Sequence, residues 1–472
     1  MKKEVVLSPQ QQEIIDYAGS QLLIRGIAGS GKTLILLRKA RDVAEKNPNE
    51  TVAIFSFGNA LMKSAQKQLE EYKLPNLKVM TFHSWAMQNY FKTFRKKFYL
   101  EYNSNKFLSE ALKELSSKYP NHRFFTNKDL FSFISEEISW IKGAYLTSME
   151  QYEKAPRKGR GGKIRLSKND RKILFEIYEK YEEIKDYRHD YDDFALDYYK
   201  NLNKIKDDSK FDHIFIDEAQ DLTKVSLTVL TNIARKSCIV GADLGQKIYA
   251  TSFTWEQVGL NIKGGRTKVL TNSYRSTKQI INLAYSLQKN DAISEDKEFT
   301  KPDLPNEEGP IPKIYVTSDE KTQDIAIVNL AKKLVESNPD TTIGILCRNW
   351  DIVYRLRRVF INEKLDYKLI KNENNKSNSH EIGSHHEPGI KFTTFHTAKG
   401  LEFHYVVIPE VVNPPLETKL GDEFDWDIER RLLYVAMTRA MVHLQIFTYG
   451  NKHKLIDELD NNYYEEIPLL EQ

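Results

Sequence analysis

The 472 residues carry 40% hydrophobic and 29% charged positions at a mean hydropathy of −0.56. That is too long for one ordinary core, so about two to four soluble domains are expected. With 70 basic against 66 acidic residues, the net charge of +4 selects no partner by itself. No apolar run reaches the length of about 18 residues that a spanning helix needs. The start, "MKKEVVLSPQQQ", has no apolar segment of a secretory signal, so a cytoplasmic location is the expectation.

In chain order, a strand at 21–26 ("QLLIRG") leads into "IAGSGKT" and then a helical stretch up to Asn47 and Pro48. Strand signals follow at 51–57, 78–82, 213–217 and 237–242, alternating with helical segments, which argues for a parallel sheet covered on both faces. Between about 85 and 205 the strand signal disappears and the pattern turns helical, so this stretch reads as an insertion. Within it, 154–172 holds nine Lys/Arg against one Asp, suited to phosphate contact, while 179–194 is mostly acidic. A second strand set opens at 267–273 and continues at 313–318, 342–349, 390–396, 405–411 and 443–449. The polar, breaker-rich 371–389 reads as an exposed loop; its His380, His385 and His386 are taken as solvated rather than metal-binding. Cys238 and Cys347 lie far apart in apolar stretches and read as small buried hydrophobes.

"GIAGSGKT" (26–33) fits G-x-x-x-x-G-K-[ST] between a strand and a helix, where successive N–H groups cradle phosphate oxygens. Gly26, Ala28, Gly29, Ser30, Gly31, Lys32 and Thr33 are the candidate nucleotide-binding residues. Lys32 would reach the terminal phosphates, and the Thr33 hydroxyl would ligate Mg²⁺. In "FDHIFIDEAQD" (211–221) an apolar strand stops abruptly at carboxylates. Carboxylates at a core strand's mouth are costly without a partner. A Mg²⁺–ATP site supplies one, with Asp217 on the metal and Glu218 polarising the attacking water. The 184 residues between Lys32 and Asp217 exceed what a minimal α/β unit needs, and the helical stretch accounts for the excess.

On these motifs the chain resembles superfamily 1 helicases of the UvrD/Rep/PcrA type, with matches in order over nearly its whole length. "LSPQQQEII" (7–15), "AGSGKT", "TFHSW" (81–85), "IDEAQD", "GADLGQKIY" (241–249), "NSYRST" (272–277), "FTTFHTAKGLEF" (392–403) and "ERRLLYVAMTRA" (429–440) carry the resemblance. It implies an α/β fold of two RecA-like P-loop domains in tandem: 1–88 with 204–270, a helical insertion 89–203, and 271–472. It also implies ATP and Mg²⁺ as cofactors and single-stranded DNA, or its junctions with duplex, as partner. The activity implied is that of an ATP-hydrolysing DNA helicase or single-strand translocase moving 3′ to 5′ as a monomer. By the same resemblance Gln11 and Tyr274 meet adenine and Glu402 the ribose, while Gln246, Arg275 and Arg439 reach the γ-phosphate. Asn59, His83, Trp85, Tyr249, Trp255 and His396 would contact the strand, Trp255 by stacking.

Three departures stand out. Leu34 replaces the Arg that usually follows the P-loop Thr, "FSFGNALMKSA" (55–65) differs from the family's pattern around Asn59, and the stretch between Arg275 and Thr393 is too short for the family's mobile 2B domain. An ATPase switch or motor subunit for a partner such as a nuclease is the alternative, and a small-molecule P-loop kinase a weaker one.

Overall fold

The computed structural model describes residues 6–56, 62, 65–66, 69–155, 164, 166–246, 253–296, 299–371, 387–414, 424–450 and 453–469. The first lobe begins with α1 (Pro9–Asp16), opened by a capping box in which Ser8 and Gln11 satisfy each other's backbone N–H. β1 (Gln21–Gly26) runs into α2 (Lys32–Lys46), and β2 (Val52–Phe55) and β3 (Leu77–Met80) follow. After α3 (Phe82–Phe94) the chain leaves the sheet for α4 (Asn105–Leu115), α5 (Phe131–Ala144) and α6 (Lys168–Lys185). It returns through α7 (Tyr191–Lys200) to β4 (Phe211–Ile216), α8 (Lys224–Asn232), β5 (Ala234–Ala242) and β6 (Thr267–Leu270).

These six strands form one sheet in the order β3-β2-β4-β5-β1-β6, every pair parallel. Period-two burial feeds two cores. Leu22, Ile24 and Phe215 face α1 and α2, whereas Leu23, Ile214 and Ile216 face α3, α7 and α8. The inserted helices own a third core around Phe107, Ile134, Trp140 and Ile177. The strand at Thr267–Leu270, read from sequence as opening the second set, is instead the edge of this first sheet, paired with β1.

The second lobe contains α9 (Lys278–Gln288), β7 (Lys313–Thr317), α10 (Glu320–Ser337), β8 (Thr342–Cys347), α11 (Trp350–Asn362), β9 (Tyr367–Leu369), β10 (Gly389–Thr394), β11 (Phe403–Ile408), α12 (Trp426–Met437), β12 (Ala440–Tyr449) and β13 (Glu465–Leu469). Its sheet has the order β13-β7-β12-β11-β8-β10-β9, again parallel and covered on both faces. β9 and β13 carry no clear sequence signal. They are edge strands, and Pro468 is tolerated in β13 because an edge residue needs no inward N–H. Cys238 and Cys347 are free, buried and in different sheets. Among the described residues no helix is long and apolar enough to cross a membrane.

Candidate functional site

The P-loop turns between β1 and α2 with Gly29 at φ 73° and Gly31 at φ 83°, left-handed conformations that side chains resist. A Cβ on Gly29 would lie 2.6 Å from Ser273 Oγ, and one on Gly31 would lie 2.7 Å from Gln11 Nε2. The loop is therefore pressed between α1 and the 273–275 segment of the second lobe. Gly31 caps α2 without a side chain, leaving the first N–H groups of that helix for an anion.

Lys32 is buried and folded back, donating to the Gly26 and Ile27 carbonyls at 2.8 Å each and lying 3.4 Å from Asp243 Oδ2. The Thr33 hydroxyl donates to Asp217 Oδ2 at 2.6 Å. Burial, then the neighbouring Glu218, pushes the Asp217 carboxyl up to about 6. Burial also pushes Glu218 upward, but Lys399, Lys32, Gln220 and Arg439 together outweigh it, so Glu218 ends below its ordinary value. Glu218 occupies a left-handed backbone position at φ 53°, the strained turn that ends β4 and starts the next element. Gln220 donates to its carboxylate, and Lys399 Nζ stands 3.8 Å away.

From the second lobe, Arg439 is fully buried and donates to Gln246 Oε1 at 2.7 Å, with its Nε on the Val435 carbonyl at 2.9 Å. Burial and the charge of Arg275 lower its pKa to about 9, still leaving the guanidinium charged at neutral pH. Gln246 Nε2 donates to Asp243 Oδ2 at 2.6 Å, so Arg439, Gln246, Asp243 and Lys32 form one polar chain across the seam. Arg275 donates to Glu402 Oε2 at 2.9 Å, and the backbone N–H of exposed Tyr274 donates to Gly29 O at 2.8 Å. The Gln11 amide donates to Ser30 O at 3.1 Å. All nucleotide-site residues named from the sequence thus gather at one seam between the sheets.

Sequence reasoning missed Asp243 and Lys399 there. Asp243 accepts from Gln246 and the Gly245 N–H, and its own N–H donates to Gln220 Oε1 at 3.0 Å. Lys399, from the loop after β10, donates to Asp221 Oδ2 at 2.5 Å and Gln246 O at 2.7 Å. The signals were present in "GADLGQ", "DEAQD" and "TAKG", but their contacts cross as many as 211 positions.

The donor set fits the nucleotide and metal. A hydroxyl and a carboxylate make a hard oxygen pair suited to Mg²⁺. An uncapped helix start with Lys32, Arg275 and Arg439 around it suits a triphosphate.

A cleft of about 670 Å³ opens between first lobe, insertion and second lobe. Both candidate histidines line it. His83 approaches Tyr191 O through Nε2 at 3.1 Å, and burial lowers its pKa. His396 is open on the cleft side and walled by protein elsewhere; that desolvation, with the charges of Arg348 and Lys399, pushes it down to about 4. Arg348, also missed, lines the same cleft while paired with Glu429 at 2.8 Å.

Two strand contacts read from the sequence are corrected. Trp85 is 1% exposed, packs on Tyr198 at 4.8 Å and donates its indole N–H to Ser209 O, so it offers no face to a base. Trp255 is 5% exposed, in a turn packed against α8, with Phe253 edge-on at 5.6 Å. Both rings serve the core of the first lobe. Asn59 and Tyr249 lie outside the described residues, as do 372–386 and, in the basic stretch, 156–163 and 165.

Residues 7–253 match the family model of the UvrD/REP helicase N-terminal domain, and residues 370–451 that of the UvrD-like helicase C-terminal domain. The chain belongs to the UvrD/REP helicase family. Family relatives include YjcD of Bacillus subtilis (strain 168), 24% identical over 363 residues, or 71% of this chain and 44% of YjcD. The ATP-dependent DNA helicase PcrA of the same organism is 24% identical over 322 residues, 62% of this chain and 40% of its own length. The chain therefore spans less than half the length of these UvrD/REP-type relatives. The crystal structure of the C-terminal domain of a possible DNA helicase from Lactobacillus plantarum WCFS1 aligns with 41% of this chain and 98% of its own, at 21% identity and a TM-score of 0.30.

Proposed function

We propose that this chain is an ATP-dependent motor that moves 3′ to 5′ along single-stranded DNA and displaces a paired strand. The observation that carries the reading is the seam: the P-loop, Thr33, Asp217 and Glu218 of the first lobe face Lys399 and Arg439 of the second through Gln246, with Arg275 against Gly29. In this reading 1–88 with 204–270 is the ATP-binding lobe, 271–472 the arginine-bearing lobe and 89–203 the helical insertion. In the same reading a 2B domain is absent or reduced to residues 371–389.

Thr33 and Asp217 would hold Mg²⁺, which would supply neutralisation of phosphate charge when bound. Glu218, kept ionised by its cationic neighbours, orients a water and accepts its proton. Lys32 leaves its two carbonyls for the terminal phosphates. Arg275 and Arg439 stabilise charge on the transferring group, which needs the lobes closed. Tyr274 offers an exposed ring to the base and Glu402 a carboxylate to the ribose. Hydrolysis removes the anion that drew the arginines in, so the seam reopens. Because the loop bearing Lys399 also bears His396, closure at the nucleotide moves the wall of the strand cleft.

The test measures ATP hydrolysis with and without single-stranded DNA, and strand displacement from duplexes with a 3′ or a 5′ tail. Strand-stimulated hydrolysis, and displacement from the 3′ tail only, are expected. Glu218→Gln should lose about 10²-fold or more in turnover while still binding ATP. Hydrolysis indifferent to DNA would refute the motor reading, and displacement from the 5′ tail would refute its direction.

A further inference from the structure

The surface where α3 hands over to the insertion carries large exposed rings that the nucleotide site does not use. Tyr99, Tyr102 and Tyr187 are 61%, 75% and 65% exposed. Arg95 ends α3 in a left-handed conformation at φ 56° and turns the chain back, placing the exposed Arg95, Lys96 and Lys97 at that corner. The returning segment then pairs with 187–191. Leu100 bridges His189, with the His189 N–H on Tyr99 O and the Glu101 N–H on His189 O, both at 2.8 Å.

That short ladder puts rings side by side. Tyr99 meets Tyr187 edge-on at 5.4 Å, and Tyr102 meets Tyr191 at 6.4 Å. Tyr191 in turn meets His83 at 5.4 Å, and His83 lines the cleft. Tyr102, Tyr191 and His83 therefore form a line of rings from solvent to the cleft wall, and the Tyr99–Tyr187 pair stands beside it on the same ladder, next in sequence to the three cations. Edge-on contacts leave faces open for flat ligands. Glu101, the acid within this segment, is engaged by Lys106.

Resting on the strand-translocation reading above, we infer that this line is an accessory track for single-stranded DNA, extending the cleft outward along the first lobe and its insertion. Aromatic faces interleaved with exposed cations are the chemistry that holds a flexible polyanion with stacking bases. Continuity with the cleft through His83 makes the two surfaces one path. Tyr102 and Tyr187 stack on bases beyond those held in the cleft, and Arg95, Lys96 and Lys97 neutralise their phosphates.

The test compares deoxythymidylate oligomers of about 6 and about 16 nucleotides, lengths that bracket a cleft alone and a cleft with its extension. Fluorescence anisotropy gives both affinities for the full chain and for the Tyr102→Ala/Tyr187→Ala double variant. The ratio of long- to short-oligomer affinity should fall about fivefold or more in the alanine variant and be retained in Tyr102→Phe/Tyr187→Phe. Lys96→Ala/Lys97→Ala should reduce the salt slope for the long oligomer by about 1.4. An unchanged ratio in the alanine variant overturns the track. If the unaltered chain binds neither oligomer, the strand-translocation reading itself fails.

Discussion

Asp217 stands at the most charged point of the seam, and its state depends on what else is there. Its carboxyl rises from 3.8 to about 6 on folding, chiefly through burial. The native state thus holds that proton more tightly than the unfolded chain. Between those two values the stability of the nucleotide-free protein falls as pH rises, and at neutral pH the cost is fully present. Asp217→Asn should therefore stabilise the nucleotide-free protein at pH 7 by about 1–3 kcal/mol while abolishing Mg²⁺-dependent hydrolysis. Urea unfolding at pH 7 and pH 4 checks this: the gain should vanish at the lower pH, and an equal gain at both would dismiss the charge explanation. A second residue-scale prediction concerns Gly29, whose φ of 73° and whose neighbours Ser273 and Arg275 leave no room for a methyl group. Gly29→Ala should weaken ATP binding at least tenfold, measured by calorimetry, while the far-UV dichroism of the backbone stays unchanged.

At the scale of elements, the junction of insertion and first lobe is held by a buried ionic knot. Lys142 of α5, with no exposed side-chain surface, lies 2.5 Å from Asp190, 2.6 Å from Asp193 and 3.2 Å from Glu182. Lys185 of α6 adds contacts to Glu182 at 2.7 Å and Asp193 at 2.8 Å. Burial alone would discharge Lys142, but the surrounding carboxylates hold its ammonium well above its ordinary pKa. The three acids look like a metal site by spacing; two ammonium groups already neutralise them. Removing one cation strands buried carboxylates, so Lys142→Met should cost about 3–5 kcal/mol in urea unfolding. The loss should shrink as pH falls and the stranded acids take up protons; a loss independent of pH would assign it to packing instead.

At the scale of the whole molecule, each sheet keeps a core of its own, and among the described residues the lobes meet through polar contacts and the P-loop's Ala28, which makes their relative movement cheap compared with unfolding either. Lys399 is the contact that touches both chemistry and cleft, bonded to Asp221 and Gln246 O and three positions from His396. Lys399→Ala should lower strand-stimulated hydrolysis at least tenfold more than hydrolysis without DNA. Equal losses in both assays would place Lys399 in the chemistry and not in the coupling.

Much of the nucleotide site is written in consecutive residues. A phosphate cradle is a local backbone conformation, so glycine spacing, a following Lys-Thr and carboxylates at a strand end specify it wherever they occur. The strand periods and the helical character of the insertion were readable for the same reason, because side-chain alternation is a short-range property. Other features depended on neighbours far along the chain. Trp85 sits in a motif that lines the cleft and Trp255 in an aromatic-rich turn, yet a large amphipathic ring gives one sequence signal whether it packs inward or stacks outward. The edge positions of β6, β9 and β13 follow from sheet order, which local pattern does not encode. Lys399 on Asp221, Arg439 on Gln246 and the ring line from Tyr102 to His83 arise only when distant segments pack. Their energies come from desolvated pairs and ring contacts, and these exist only once the tertiary fold has excluded water.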